Sequence, residues 1–293
     1  MSSQLAGVTV AVLGGDDREI ILASRLVRMG ALVRAAGNNK LKGLKEVRYC
    51  GAIDEGGLIR ARYSEKAVAL NSRNMAAFRD DCIIIVGFAR KLLQDLAAQR
   101  GLKLIEIAEM DEVAILNSIP TAEGAIQMAM EASDITIHGS NCLVLGFGRC
   151  GVTLARMLHA LGAKTVAAAR KPSDLARIRE MGIEPITYDQ LDERIGEADF
   201  IFNTVPVMML NGLQLAGAKP DVYICDIASS PGGVDFEAAA RLGLKAELAP
   251  ALPGIVAPRS AGEVLAQVIP DIMAKELTKS PSTLGGTESS RGC

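Results

Sequence analysis

The sequence predicts an α/β protein made of two doubly wound domains with parallel sheets. Short apolar runs alternate with amphipathic helical patterns along most of the 293 residues, as in βαβ proteins. A strand, a glycine-rich turn and a helix follow one another twice, at 8–29 and again at 142–161. A chain of this length can also hold two domains of ordinary size, each with its own core.

The composition indicates a packed protein with neither a nucleic-acid nor a membrane partner. Apolar residues make up 49% of the chain, but aromatic residues only 3%, and Trp is absent. Base stacking is therefore disfavoured, and the net charge of −2 disfavours binding to a phosphate backbone. The six cysteines form no C-x-x-C pair, so we expect reduced thiols and no metal site. Val8–Leu13 is too short to span a bilayer, and no signal sequence is evident, which predicts a cytoplasmic protein.

The first domain is predicted over 1–117 as a flavodoxin-like, substrate-binding unit. Its strand Val8–Leu13 leads through a glycine turn into a helix that ends near Met29. Asp16 and Asp17 in this turn would repel a pyrophosphate, so we do not expect a dinucleotide here. Further strands are expected at Cys82–Val86 and Leu102–Ile107, with a helix around 90–100.

A linking helix is predicted within 118–138, because Ser118 suits a cap and Pro120 suits a first helical turn. The second domain, 139–259, then alternates strand and helix. Its strands are expected at Cys142–Leu145, Thr165–Ala169, Phe200–Asn203, Val222–Asp226 and Lys245–Leu248, and its helices at Cys150–Leu161, Pro172–Met181 and Phe236–Leu242. A final amphipathic helix, 260–277, is expected to pack on the first domain. The polar tail 278–293 is predicted to be disordered.

The motif Gly146-x-Gly148-x-x-Gly151 stands between a strand and a helix and indicates a Rossmann dinucleotide-binding domain. Gly146 permits the tight turn, Gly148 lets the backbone approach a pyrophosphate, and Gly151 lets the helix pack on the strand. Amide groups at the helix N-terminus would face the phosphates. Phe147, Arg149 and Cys150, between the glycines, complete the predicted loop contacts.

The next strand ends in Arg170-Lys171, where NAD-binding sites usually place an acidic residue on the ribose hydroxyls. A basic pair suits the 2′-phosphate of NADP instead. The sequence therefore predicts NADP, with contacts from Ala169, Arg170, Lys171 and Ser173.

Ligands of an open α/β sheet collect beyond the carboxyl ends of its strands. Two segments there should wall the nicotinamide, through Asn203, Thr204, Val205, Pro206, Asp226, Ile227 and Ala228. Ordinary turn chemistry would also explain these residues. A third segment, 249–259, leads to Arg259, which either pairs with a substrate carboxylate or is a solvated arginine.

Neither histidine is well placed as a general base. His138 precedes the first strand of the second domain, and a five-residue strand is roughly 17 Å long. His159 falls near the end of the helix after the glycine loop. The predicted proton acceptors are Glu123 and Asp226, with Asp16 as a further candidate. Glu123 is equally well explained as an acid near a helix N-terminus.

Several runs of the chain resemble the dipicolinate synthase A-subunit family. They occur in the family's order over about 109–269: Asn117–Gly124, Asp134–Ser140, Leu143–Arg149, Asn203–Pro206, Asp226–Ser229, Pro231–Phe236 and Leu252–Pro258. The resemblance implies oxidation of dihydrodipicolinate, or of its hydrated tetrahydro form, to pyridine-2,6-dicarboxylate, with NADP⁺ as hydride acceptor. It also implies a partner, the flavoprotein-like B subunit, and a role in the mother cell during sporulation.

A dianionic substrate needs hydrogen-bond donors, which we expect from Asn117, Ser118, Thr121, Ser229, Gly232, Gly233 and Arg259. The chain is also expected to form a homo-oligomer. Two alternatives stay open. One is another two-domain NAD(P)-dependent dehydrogenase of the 2-hydroxy-acid type, and the other is a nucleotide-sensing scaffold subunit whose partner carries the catalysis.

Overall fold

A computed structural model describes residues 4–36, 58–61 and 64–279. The predicted α/β fold class with parallel sheets is confirmed. The chain divides into two compact units, one formed by 1–105 with 262–293 and the other by 106–261. The second unit is thus one continuous stretch, and the first is made of two separate stretches.

The first unit begins with a parallel βαβ element. Its strands and helices are β1 (Thr9–Leu13), α1 (Asp17–Arg28), β2 (Leu32–Ala36), β3 (Leu58–Ala61), β4 (Ser64–Ala69), α2 (Ser72–Met75), β5 (Ile83–Val86), α3 (Lys91–Gln99) and β6 (Lys103–Glu106). β1 pairs with β2 in parallel, and β5 pairs with β6. The antiparallel pair β3–β4 was not predicted, because few of its residues are β-branched or aromatic.

The second unit contains a six-stranded sheet. Its elements are α4 (Asp111–Ala132), β7 (Asn141–Leu145), α5 (Arg149–Ala160), β8 (Lys164–Ala168), α6 (Pro172–Glu180), β9 (Glu184–Ile186), α7 (Leu191–Arg194), β10 (Phe200–Asn203), α8 (Gly212–Ala216), β11 (Tyr223–Asp226), α9 (Phe236–Arg241), β12 (Lys245–Leu248) and α10 (Leu252–Val256). The last helix, α11 (Pro258–Lys279), begins in this unit and continues into the first. The five predicted strands are all present. The short elements β9, α7, α8 and α10 were not predicted.

The strand order is β12-β11-β10-β7-β8-β9, and all neighbours run parallel. This is the doubly wound arrangement, in which the order reverses between β7 and β10. A crevice opens at that reversal beyond the carboxyl ends of the strands. The topology therefore places the glycine loop after β7 and the loop after β10 side by side.

Alternating residues of the central strands belong to two separate cores. On β7, Cys142 and Val144 face one core, and Leu143 and Leu145 face the other. Helices α4, α5 and α10 cover the first core, while α7, α8 and α9 cover the second. Because both faces are buried, each strand reads as a continuous apolar run, and this is why the sequence located the strands well.

The linking helix begins at Asp111, so the prediction that it starts around Ser118 was wrong. Pro120 lies inside the helix and removes one backbone donor. The hydroxyl of Ser118 donates to the Ile115 carbonyl at 2.6 Å, and that of Thr121 donates to the Asn117 carbonyl at 2.8 Å. The carbonyl left without its helical donor is that of Leu116, four residues before Pro120, and these two side-chain hydrogen bonds lie on either side of it. Buried packing keeps the helix continuous.

The C-terminal helix belongs to the first unit from Gly262 onward. A Cβ on Gly262 would lie 2.8 Å from the Cδ1 of Ile21 on α1, so the two helices approach closely. Lys103 of β6 forms an ion pair with Glu276. Thr278 and Lys279 are helical, and the rest of the predicted disordered tail lies outside the described residues.

Candidate functional site

The glycine loop follows β7, and its three glycines meet different steric demands. Gly146 has a φ of +97°, which favours glycine, and a Cβ on Gly151 would overlap the Gly146 carbonyl oxygen. Gly148 has an ordinary φ of −81°, and a Cβ there would meet no described atom within 4 Å. The protein's own packing does not require glycine at 148. The open space there fits a ligand that lies against the backbone.

Helix α5 starts directly after this loop and presents its N-terminus to the same space. Gly148 is the N-cap residue, and no side chain in the described part of the chain caps the helix. The first-turn amides and the positive end of the helix dipole favour an anion at this position. Together with the open position at Gly148, this end of α5 fits a dinucleotide pyrophosphate.

Thr204, at the end of β10, braces the glycine loop from the neighbouring strand. Its hydroxyl donates to the Leu145 carbonyl at 2.9 Å, and its amide donates to the same oxygen at 2.9 Å. A Cβ on Gly146 would overlap the Thr204 hydroxyl. The first glycine is thus needed both for its φ and for the close approach of β10.

The residues between the glycines differ in what they can offer a ligand. The Arg149 guanidinium donates to the Glu109 carbonyl and to the Asp111 carboxylate, both at 3.2 Å. Phe147 belongs to the core and is only 9% exposed, so it can offer its backbone alone. Cys150 is half-buried, and burial raises the pKa of its thiol, which keeps it protonated at neutral pH.

The basic pair lies where β8 ends. Arg170 and Lys171 are exposed, as is Ser173 in the first turn of α6, whereas Ala169 is buried. The Ala169 amide donates to the Ile186 carbonyl at 3.0 Å and holds the ends of β8 and β9 together. The exposed cations at this edge of the sheet fit a phosphate group.

Tyr188 also lies at this edge, and sequence reasoning missed it. Burial raises the pKa of its phenol, the Arg170 guanidinium lowers it, and the Asp174 carboxylate raises it. Both charges therefore lie within electrostatic range of the phenol. Tyr188 lies two residues after β9, a three-residue strand that contains a proline, and no pattern in the sequence indicated that strand.

Asn203 and Asp226 end the adjacent strands β10 and β11 and face each other in register. Both are 0% exposed. The Asn203 side-chain amide donates to Asp226 Oδ1 at 2.8 Å and to the Val205 carbonyl at 3.0 Å. Asp226 also accepts from the amides of Ala228 at 3.0 Å and Gly233 at 2.7 Å. The arrangement makes Asp226 part of a closed hydrogen-bond network.

The two predicted proton acceptors therefore differ in environment. The Asp226 carboxylate is shielded from solvent, which favours a positioning role over proton transfer. Glu123 is exposed on α4 and lines a groove with Met157 and Leu161 of α5. Because α5 begins at Arg149, Met157 lies about 12 Å along the helix from the glycine loop. The structure thus does not bring Glu123 to the N-terminal end of α5.

The predicted substrate contacts fall into separate groups. Ser118 is 0% exposed, and its hydroxyl lies 2.6 Å from that of Thr153 on α5, so it ties two helices together. The Asn117 Oδ1 is buried and has no hydrogen-bond partner among the described residues. The glycines at 232 and 233 lie against Asp226, while Ser229 and Arg259 are exposed. Their roles towards a substrate stay predictions.

Both histidines lie away from the glycine loop. His138 precedes β7, and its ring lies beside Gly162 in the turn that follows α5. His159 is in the last turn of α5 and approaches Gly182. Each is therefore near the amino-terminal edge of the sheet, as the strand length predicts.

The turn after β1 in the first unit holds a buried carboxyl that the sequence analysis overlooked. Glu19 is 5% exposed, and its carboxylate accepts from the Asp16 amide at 2.7 Å. The Asp16 side chain in turn accepts from the Glu19 amide, which completes a capping box on α1, and it also accepts from the Arg18 amide at 2.9 Å. Burial raises the pKa of Glu19 to about 7. The Asp-x-x-Glu spacing was the available signal for this cap.

Among the described residues, no group of three or more His, Cys, Asp or Glu side chains is arranged to hold a metal ion. Within the same residues, no helix combines the length and apolar character needed to cross a membrane.

Two family models match the chain. Residues 118–236 match the NAD-binding domain of D-isomer-specific 2-hydroxyacid dehydrogenases, which agrees with a nicotinamide dinucleotide as cofactor. Residues 50–108 match the N-terminal domain of the dipicolinate synthase A subunit.

Similar proteins cover nearly the whole chain. The dipicolinate synthase A subunit of Bacillus subtilis (strain 168) is 39% identical over 92% of this chain and 97% of its own length. A crystal structure of the dipicolinate synthase A subunit from Bacillus halodurans superposes with a TM-score of 0.88 at 35% identity, covering 92% of this chain and 99% of its own. The D-lactate dehydrogenase of Escherichia coli, at 14% identity and a TM-score of 0.64, shares the fold; the aligned part is 93% of this chain and 98% of that enzyme.

Proposed function

Because this chain belongs to the dipicolinate synthase A-subunit family, we propose that it oxidises dihydrodipicolinate, or its hydrated tetrahydro form, to pyridine-2,6-dicarboxylate with NADP⁺. Its dinucleotide-binding domain is of the 2-hydroxyacid dehydrogenase type and supports an oxidoreductase. The observation that carries the proposal is the glycine loop, with its open position at Gly148, beside the exposed cations after β8.

The proposed reaction removes two hydrogens from the dihydro ring. A hydride goes to the nicotinamide and a proton goes to solvent, and the hydrated form also loses one water. Bound NADP⁺ supplies the hydride acceptor. Because the product ring is aromatic, this oxidation needs less acid–base assistance than oxidation of an alcohol. A chain whose two histidines lie far from the glycine loop is compatible with such chemistry.

NADP is preferred to NAD in this proposal because of the residues after β8. Arg170 and Lys171 are exposed, and no ion pair holds either of them among the described residues. A guanidinium can form charge-assisted hydrogen bonds to a 2′-phosphate, whereas a ribose hydroxyl gains less from it. Ser173, in the first turn of α6, adds a hydroxyl at the same edge.

Proton removal does not depend on Asp226 in this proposal, since its oxygens accept three hydrogen bonds inside the protein. Glu123 is exposed but lies beside the C-terminal half of α5. We therefore assign the proton to bulk water rather than to either carboxylate.

The substrate carries two carboxylates and needs donors beyond the carboxyl ends of β11 and β12. Ser229, in the loop after β11, and Arg259, in the first turn of α11, are exposed and are proposed as contacts, together with the backbone around Gly232. Asn117, whose side-chain oxygen is buried without a partner among the described residues, is proposed as a further contact. Ser118 and Thr121 instead bond within the protein, so we expect them to act by shaping α4.

The family relationship also supports a setting for this activity. We propose that the chain acts in the cytoplasm of the mother cell during sporulation, together with a flavoprotein-like B subunit. Self-association of the chain is part of the same proposal.

The test is direct formation of product from freshly generated lysine-pathway intermediate. Purified chain, NADP⁺ and the B subunit should together produce the ultraviolet absorbance of dipicolinate, matched mole for mole by NADPH. Absence of both signals, in a preparation that binds the dinucleotide, would refute the proposed reaction.

The same preparation separates the alternatives. The match of 118–236 to a 2-hydroxyacid dehydrogenase domain favours, as second candidate, a dehydrogenase acting on simple 2-hydroxy or 2-keto acids. Turnover of lactate or glycerate with NAD(P)⁺ would support that candidate. Hydride transfer by the chain without its partner would exclude a purely nucleotide-sensing scaffold.

A further inference from the structure

Asn203 and Asp226 form a buried polar pair at the carboxyl ends of β10 and β11, and both are 0% exposed. A buried carboxylate is costly unless hydrogen bonds compensate it. Here Asp226 accepts from one side-chain amide and two backbone amides, at 2.7–3.0 Å. Asn203 uses its oxygen as well, since the Val205 amide donates to it at 3.1 Å. Both side chains of the pair are therefore used in hydrogen bonds within the protein, and this does not suit Asp226 to act as a proton acceptor.

The pair holds two loops together. The Asn203 side chain donates to the Val205 carbonyl and accepts from the Val205 amide, and these two bonds shape the loop after β10. Asp226 bonds the amides of Ala228 and Gly233, which closes the loop after β11 on itself. The Gly233 carbonyl then accepts from the amides of Met209 and Leu210, at 2.8 and 2.9 Å. The two loops are thus joined twice, by the side chains of Asn203 and Asp226 and by the backbone bonds of Gly233.

Two glycines of the loop after β11 pack closely against the pair. A Cβ on Gly232 would lie 2.8 Å from Asp226 Oδ2, and one on Gly233 would lie 2.6 Å from the Asn203 amide nitrogen. The residues in register on the outer strands, Leu145 on β7 and Leu248 on β12, carry no charge. Any change at Asn203 or Asp226 must therefore pass into the two loops.

These loops lie on the nicotinamide side of the reversal point. The basic pair after β8 lies on the other side, so a dinucleotide on this sheet would place its adenosine half by β8 and its nicotinamide half by β10 and β11. We propose that Asn203 and Asp226 are positioning residues that hold the nicotinamide-binding loops, and that they act on one half of the dinucleotide only. This rests on the proposed dinucleotide-dependent function.

The first experiment compares a whole dinucleotide with its adenosine half. Asn203→Leu keeps the side-chain size but removes the link between the loops. We expect NADPH to bind at least 10-fold more weakly and hydride transfer to fall at least 100-fold. Adenosine 2′,5′-bisphosphate, which lacks the nicotinamide, should bind within 2-fold of wild type. Equal losses for both ligands, or a loss for neither, would overturn the inference.

The second experiment has a pH readout that a general loss of stability would not produce. Asn203→Asp places two carboxyl groups in contact, and such a pair keeps its hydrogen bond only while it shares a proton. NADPH affinity of this variant, divided by its affinity for adenosine 2′,5′-bisphosphate, should fall as pH rises from 5 to 8. The same ratio in wild type is the reference at each pH, because the 5′-phosphate of the bisphosphate titrates at about pH 6 and has no titrating counterpart in the pyrophosphate of NADPH.

Cys225, next to Asp226 on β11, does not interfere, because burial raises the pKa of its thiol to about 12. The ratio in Asn203→Asp, divided by the ratio in wild type, should therefore fall as pH rises, and a constant quotient would contradict the role proposed for the pair.

Tyr223→Phe is the matched control. Tyr223 is buried at the other end of the same strand, and its hydroxyl donates to Glu247 at 3.2 Å. This variant should lose some thermal stability and keep both affinities, which separates positioning from stability. If wild type binds no dinucleotide, the proposed function fails. If it binds one and Asn203→Leu behaves as wild type, only the positioning role fails.

Discussion

The glycine loop contains glycines of two kinds: one that the protein's own packing requires, and one that it does not require. Gly151 is required by the protein, because a side chain would overlap the backbone of Gly146. Gly148 is not required by any described neighbour or by its own φ. Its small size therefore matters only when something else occupies the space above it.

This difference predicts opposite behaviour for two alanine variants. Gly151→Ala should lower the stability of the second unit by about 1–3 kcal/mol, because backbone must move to admit the methyl group. Gly148→Ala should unfold at the wild-type temperature yet bind dinucleotide at least ~10-fold more weakly. Thermal unfolding and fluorescence titration with NADPH would measure both. Normal NADPH binding by Gly148→Ala would show that no ligand approaches this position.

Arg170 should discriminate between the two dinucleotides. Arg170→Ala removes a charge-assisted hydrogen bond, worth about 1.5–3 kcal/mol, which only the 2′-phosphate can accept. NADP⁺ should therefore bind about 10- to 100-fold more weakly, while NAD⁺ affinity changes little. Arg179→Ala, in α6, is the matched control for loss of one exposed arginine. Equal losses for NADP⁺ and NAD⁺ in titrations of Arg170→Ala would show that Arg170 does not contact the 2′-phosphate.

At the scale of elements, the capping box of α1 couples stability to pH. The Glu19 carboxyl is buried, and its pKa of about 7 lies above the ordinary value of 4.5. A folded-state pKa above the unfolded one means that the folded chain binds the extra proton. The contribution of this group to the free energy of unfolding is therefore largest below about pH 4.5. It is lost as pH rises from there through 7, a decline of up to about 3 kcal/mol.

Glu19→Gln should remove this dependence while it retains the hydrogen bond to the Asp16 amide. Urea unfolding of both proteins at pH 5, 6, 7 and 8 would test it. As pH rises, the free energy of unfolding of wild type should fall relative to that of the variant. A constant difference across that range would contradict the assignment.

The elements also show where sequence reasoning succeeds and where it stops. Strands with two buried faces, such as β7 and β10, are continuous apolar runs, and their bounds were predicted to within one residue. β9 has three residues including a proline, so local pattern could not reveal it. Pro120 was interpreted as a helix start, since only tertiary packing explains why α4 continues through it.

The candidate site follows the same division. The glycine loop and the basic end of β8 could be predicted because they depend on local backbone and charge. The burial of Asp226 and its contact with Asn203 could not, because they depend on the register between β10 and β11. Glu123 was assigned a chemical role on residue type alone, and its position beside Met157 required the packing of α4 on α5.

At the scale of the whole molecule, the second unit has what an independent domain needs. Its sheet, both of its cores and the complete glycine loop lie within 106–261. We expect a fragment of those residues to fold cooperatively and to bind NADPH within about 10-fold of the full chain. Circular dichroism on heating and titration would test this. A fragment that remains unfolded would show that 1–105 and 262–293 are needed for this domain to form.

The first unit has no such independence, because its C-terminal helix is encoded after the whole of the second unit. During synthesis from the N-terminus, 1–105 must wait for 156 further residues, 106–261, before Gly262 and Glu276 become available to α1 and β6. At translation rates of about 5–20 residues per second, this delay lasts roughly 8–30 s. The dinucleotide-binding unit is therefore complete in sequence before the unit that started first.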